Sequence, residues 1–163
     1  MKLEGTAKMI LHPIDLKTLL IMTPFDASFA EEVGMKSQAG FLSFLTSTKI
    51  MQGPATCSLV EFQSGTISRV VKSTMAAESA SLSIAIDRQL YLRLLTEVIL
   101  YGEPEPFSHD WRMKLRIPGL CVTDAKSLFD HLGKTGSVPK EKQTLIDLLT
   151  ARDLVEQEAV WLR

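Results

Sequence analysis

Residues 58–101, SLVEFQSGTISRVVKSTMAAESASLSIAIDRQLYLRLLTEVILY, decide the fold, because the apolar period changes inside them. Over 56–63 the pattern alternates, Ser58, Val60 and Phe62 against Cys57, Leu59 and Glu61, which is the two-residue period of a strand. Ser64-Gly65 marks a break, and 67–71 reads as a continuation of the sheet. From Thr74 onward Leu82, Ile86, Leu90, Leu94 and Val98 recur every fourth residue, with Ala85 and Leu92 widening the same face. No proline interrupts this run, so the spacing predicts an amphipathic helix over 74–101. Gly102 closes it, and Pro104 and Pro106 prevent its continuation.

Toward the N-terminus, 38–46 (QAGFLSFLT) and 17–25 (KTLLIMTPF) are predicted strands, separated by a charged loop at 30–36. Lys49 to Gly53-Pro54 supplies the turn into 56–63, so the three strands form an antiparallel meander. Pro24 is an unusual guest in the first strand because it donates no ladder hydrogen bond. Residues 1–16 hold no period and form a separate N-terminal segment, with Pro13 opposing a helix there. Toward the C-terminus, 103–116 is irregular and 120–123 is a short strand. A two-turn helix at 125–132 is expected to pack through Leu128, Phe129 and Leu132. Gly133, Gly136 and Pro139 punctuate a link to a helix over 140–158, with Leu145, Leu148, Leu149 and Val155 as its apolar positions. Residues 159–163 begin a last strand, giving the order β-β-β-α-β-α-α-β in one domain over 17–163.

The 163 residues, 45% hydrophobic and 23% charged, suffice for one α/β domain with a proper core. The net charge of -1 gives no global signature of a polyanion binder. Cys57 and Cys121 are isolated in apolar surroundings, make no zinc or redox spacing, and read as reduced core residues. No apolar run approaches the roughly 20 residues that span a bilayer, and no secretory signal precedes the domain. The expected setting is intracellular, cytoplasmic or nuclear, without a membrane partner.

Three acids fall where apolar segments end or turn. Asp26 follows Leu19-Leu20-Ile21-Met22, Glu78 lies near the start of the long helix, and Asp124 follows Leu120-Cys121-Val122. An acid at the end of a buried strand is costly unless paired or bound to a cation, and carboxylate oxygens suit Mg²⁺ or Mn²⁺. Taken singly, each is also explained by loop solvation, or for Glu78 by the helix dipole. His12, His109 and His131 are scattered, and each is better explained as a surface or helix-end residue than as a catalytic base.

The segments FDASFA (25–30), SQAGFLSFLT (37–46), SLVEFQSGTISRVVKSTMAAESASL (58–82) and VTDAKSLFDHLGKTGSVPKEKQTLIDLL (122–149) resemble the ribonuclease H domain of copia-type retrotransposon polyproteins. The STMAAE box followed by the VTDAKSL box carries most of the resemblance. It implies a ribonuclease H-like α/β fold, with a mixed sheet of three antiparallel strands plus parallel strands and helices packed on it. It also implies a two-metal endoribonuclease that hydrolyses the RNA strand of RNA–DNA hybrids, alongside a reverse transcriptase domain of the same polyprotein. Asp26 would bridge two Mg²⁺ or Mn²⁺ ions, and Glu78 and Asp124 would complete most of the ligand set. Two cations about 3.5–4 Å apart activate water and stabilise the leaving oxygen, so no His or Ser nucleophile is needed. Lys36, Arg69, Lys72 and Lys126 would face the hybrid. The chain stops where the family's fifth strand begins, so the fourth acid and final helix are expected to be lacking and activity weakened or absent. Asp147 and Asp153 match a helix position of the family, not its fourth ligand, and Phe62 stands where a Trp is common. Two other classes stay open: a non-catalytic nucleic-acid-binding or scaffold domain of the same fold, and a small protein-interaction domain.

Overall fold

The computed structural model describes residues 10–32, 36–102, 111–133, 139–157 and 160–163. Strand β1 (Leu19–Glu32) pairs antiparallel with β2 (Lys36–Ser47), which pairs antiparallel with β3 (Ser58–Thr66). Helix α1 (Thr74–Tyr101) then crosses to β4 (Gly119–Val122), which runs parallel to β1. Helices α2 (Lys126–Gly133) and α3 (Lys142–Glu156) lead to β5 (Trp161–Leu162), parallel to β4. The sheet order is β3-β2-β1-β4-β5. This is the mixed sheet expected of a ribonuclease H-like α/β fold, with its three antiparallel strands and its parallel strand beside the first.

Alternation along β1 assigns the two faces. Leu19, Ile21, Thr23 and Phe25 are buried on one face; on the other Leu20 is buried too, but Asp26 is exposed. Phe25 and Phe41 join Leu82, Ile86 and Leu90 of α1, Leu128 and Leu132 of α2, and Leu148 and Leu154 of α3 in the principal core. The opposite face is barer, with Leu42 42% and Phe62 72% exposed. Leu42 and Phe62 are partners across β2 and β3 and share this barer face, whereas along β2 Ser37, Ala39, Phe41 and Ser43 alternate with it and are buried, as a period of two requires.

Several expected boundaries move. β1 does not stop at residue 25 but continues to Glu32, so Asp26 sits inside the strand and the expected loop over 30–36 is largely strand. Residues 33–35 of that loop lie outside the described residues. Pro24 is tolerated because the antiparallel register with β2 is the same on both sides of it, from Met22↔Phe44 to Phe25↔Phe41. Beside the missing donor, the Thr23 and Ser43 hydroxyls lie 3.4 Å apart in the buried layer. β3 runs through the supposed break at Ser64-Gly65 and ends at Thr66, and 67–71 is not strand. Its alternation changes phase at a bulge where Ser43↔Glu61 gives way to Phe44↔Leu59, leaving Val60 as the extra residue.

The long helix spans 74–101 as the periodicity predicts, with the Ser73 hydroxyl accepting from Ala76 N–H at 3.1 Å as its N-cap. Its buried face is less apolar than the leucine spacing implies. Gln89, Arg93 and Glu97 are buried, while Val98 is 37% exposed. The Arg93 guanidinium Nε donates to Ile117 O at 2.7 Å and Gln89 Nε2 lies 3.4 Å from Ile21 O, so these polar groups meet the backbone just before β4 and inside β1. In α2 and α3 the expected Phe129 and Leu149 are about half exposed, and the buried apolar positions are Leu128, Leu132, Leu148, Ala151 and Leu154. Cys57 and Cys121 are both free thiols, but only Cys121 is fully in the core.

Candidate metal and nucleic-acid site

The parallel β1–β4 pair sets two of the three acids. Its last register pair is Pro24↔Val122, so Asp26 and Asp124 each follow that pair by two residues in the chain. The backbone after β4 turns at once: Lys126 N–H donates to Asp124 O at 2.8 Å and Ala125 N–H to Thr123 Oγ1 at 3.0 Å, opening α2. The third acid arrives from the helix. Ser81 Oγ donates to Asp26 O at 2.7 Å and pins the first turns of α1 against β1, with Glu78 one turn earlier.

Glu78 is the unusual member. Its side chain is buried, and its Oε2 has no hydrogen-bond partner. Burial raises its pKa to about 7, and the negative charges of Asp26 and then Asp124 push in the same direction. The helix dipole expected to favour an anion there is overcome by desolvation and by two like charges. The three acids therefore share one electrostatic neighbourhood. They do not form a finished ligand cage: among the described residues no three His, Cys, Asp or Glu groups stand close enough to hold a metal ion. Asp26 and Asp124 are both exposed, and Asp26 Oδ1 accepts from Ala27 N–H at 2.8 Å. The donor set nonetheless suits a hard divalent cation, being all carboxylate oxygen with one buried oxygen unsatisfied.

The basic residues separate. Lys36, Lys72 and Lys126 are exposed, but Arg69 is ion-paired to the buried Asp147, which also accepts from Gln143 Nε2 at 3.1 Å. Arg69 thus ties the β3–α1 connection to α3 and is not a free cation. The sequence reading missed a second cationic group. Lys72, His131, Lys140 and Lys142, together with the acid Glu141, line one cavity of about 710 Å³ where the first residues of α1 and α3 meet. Three lysines and a histidine scattered over 70 positions carry no local signal; only the tertiary fold brings them together. His131 also back-bonds to Ser127 O at 2.8 Å through Nδ1, His12 engages Ser58 Oγ only through its backbone N–H, and His109 lies outside the described residues.

Comparison with solved structures returns foamy-virus proteins. The prototype foamy virus protease–reverse transcriptase aligns with 96% of this chain at a TM-score of 0.47 and 13% identity, this chain spanning 19% of that one. A foamy viral protease–reverse transcriptase in complex with an RNA/DNA hybrid aligns over 98% of this chain and 19% of its own, at 0.46 and 11%. The solution structure of the foamy-virus ribonuclease H domain aligns over 90% and 77%, at 0.41 and 12%. No family model and no curated protein matches the chain. At these scores and identities the likeness carries no function across, and the fold rests on the strand order and register described above.

Proposed function

We propose that the chain is a ribonuclease H-like domain, of the copia-type retrotransposon kind, that binds RNA–DNA hybrids and cleaves their RNA strand weakly with Mg²⁺ or Mn²⁺. The observation that carries this reading is Glu78, a carboxylate with an unsatisfied oxygen whose pKa is lifted first by burial and then by the charges of Asp26 and Asp124. Such a group is destabilising alone and is relieved by a cation. Asp26, Glu78 and Asp124 would hold the ion, which when bound supplies a Lewis acid beside the scissile phosphate and a more acidic water. Glu78 must shed its proton to serve, so it engages best above pH 7. Asp26 must leave the Ala27 amide and turn to its neighbours. That rearrangement, together with the absence of a finished cage, keeps activity low. Mn²⁺ is expected to support more of it than Mg²⁺, which demands near-ideal octahedral geometry.

Lys72, Lys140 and Lys142 would meet the hybrid's phosphates, compensating locally for a chain whose net charge is -1. A reverse transcriptase domain of the same polyprotein is the proposed neighbour. The open metal cage favours one other reading, a non-catalytic domain of the same fold that binds hybrid or supports a neighbour. Cleavage of an end-labelled hybrid with Mn²⁺, using Asp124→Asn as control, separates the two. Slow cleavage lost in the control supports the nuclease. Binding without cleavage supports the scaffold, and neither activity contradicts both.

A further inference from the structure

The backbone amide of Ala27 is a strand donor whose strand acceptor has turned away. In β1 the Ile21 N–H donates to Pro118 O at 3.1 Å, so the odd-numbered residues of this strand point their amides toward β4. On the other side the Ser37 carbonyl accepts from Ile67 N–H at 2.8 Å. By the same alternation Ala39, the register partner of Ala27, points its backbone groups toward β3 and not toward Ala27. Continuing the β1–β4 ladder from Pro118 O in steps of two residues assigns Ala27 N–H to Asp124 O, beyond the last register pair. That carbonyl instead accepts from Lys126 N–H at 2.8 Å as the chain enters α2. Asp26 Oδ1 takes its place, accepting from Ala27 N–H at 2.8 Å.

This amide lies where the chain parts. After β1 the chain goes to β2 on one side, and after β4 it leads to β5 on the other. Such a divergence opens a crevice outside the carboxyl ends of parallel strands, where ligands bind. We propose that Ala27 N–H is a phosphate-binding donor of this crevice, held by Asp26 Oδ1 in the free protein and by a non-bridging phosphate oxygen of the bound strand in the complex. The group already on the amide selects this ligand, because it is an anionic oxygen at hydrogen-bond distance and a phosphate oxygen replaces it in kind. The inference rests on the proposed function, in which Asp26 leaves this amide and turns to a cation. That turn uncovers the donor, and the phosphate covers it again. One side chain thereby exchanges places with the substrate, so the amide engages a phosphate only when Asp26 is drawn off.

Amide hydrogen exchange of the whole chain, read by NMR in EDTA, tests the donor without a cation and without cleavage. Asp26 is exposed, so Asp26→Ala leaves the core intact. In that variant the Ala27 amide is expected to exchange at least about tenfold faster than in the wild type, and an RNA–DNA hybrid is expected to slow it again at least about tenfold. In the wild type, Mg²⁺ alone is expected to speed Ala27 exchange as Asp26 leaves the amide. An Ala27 amide indifferent to the hybrid in Asp26→Ala would overturn the proposal. So would an Ala27 amide that stays protected in the wild type while Mg²⁺ shifts the Glu78 and Asp124 resonances. Mg²⁺ that moves neither Glu78 nor Asp124 contradicts the cation reading instead, and the Asp26→Ala chain still decides the amide.

Discussion

Glu78 concentrates the chemistry of the chain in one side chain. An ordinary glutamate ionises near pH 4.5 in the unfolded chain, whereas the folded protein holds this proton to about pH 7. Between those values the native state binds the extra proton, so stability is favoured at low pH and is lost as pH rises through 7. Without divalent ions the melting temperature is therefore expected to fall between pH 5 and 8. Glu78→Gln is expected to flatten that slope and to stabilise the protein by about 1–3 kcal/mol at pH 8, read by urea unfolding at both pH values. A wild-type curve that rises through this window contradicts the burial argument. Sequence alone located this acid, because the STMAAE segment puts it in the first turns of a strongly periodic helix. Its unsatisfied oxygen was not legible, since burial depends on how α1 lies on β1. Arg69 is the converse case: its basic character suggested a nucleic-acid contact, but Asp147, 78 positions away, holds it in an ion pair.

The elements were legible wherever one period dominated. Helix α1 falls on its expected span because the apolar spacing, the Ser73 cap and Gly102 agree. The end of β1 was misread because an acid after an apolar run looks like a strand terminus, whereas here the strand continues past it to Glu32. The bulge at Val60 was also hidden, since one extra residue merely shifts the phase of an alternation. The polar residues on the inner face of α1 have a structural use that spacing does not announce. A Cβ at Gly119 would stand 2.3 Å from Gln89 Oε1 and 3.0 Å from Arg93 Cδ, so the helix approaches the start of β4 at glycine distance. Gly119→Ala is expected to cost about 1–3 kcal/mol by overpacking this buried site. Gln89→Ala in the same chain is expected to return part of that loss, measured by denaturant unfolding of both variants.

At the scale of the whole molecule, an acidic neighbourhood joins Asp26 inside β1 and Asp124 just past β4 to Glu78 of α1, whose N-terminal residues also border the lysine-lined cavity. Hybrid binding is expected to weaken with salt. Lys72→Ala and Lys140→Ala should each reduce the slope of log affinity against log salt by about one, as loss of a phosphate contact does. An unchanged slope would remove the cavity from the binding surface. The central claim is that Asp26, Glu78 and Asp124 act together on a divalent cation, and thermal melting at pH 7.5 with increasing Mn²⁺ tests it most directly. Binding to the folded state alone raises the melting temperature by mass action. The expected result is a rise at millimolar Mn²⁺ that Asp26→Asn abolishes. A melting temperature indifferent to millimolar Mn²⁺, or an equal rise in Asp26→Asn, would contradict the account.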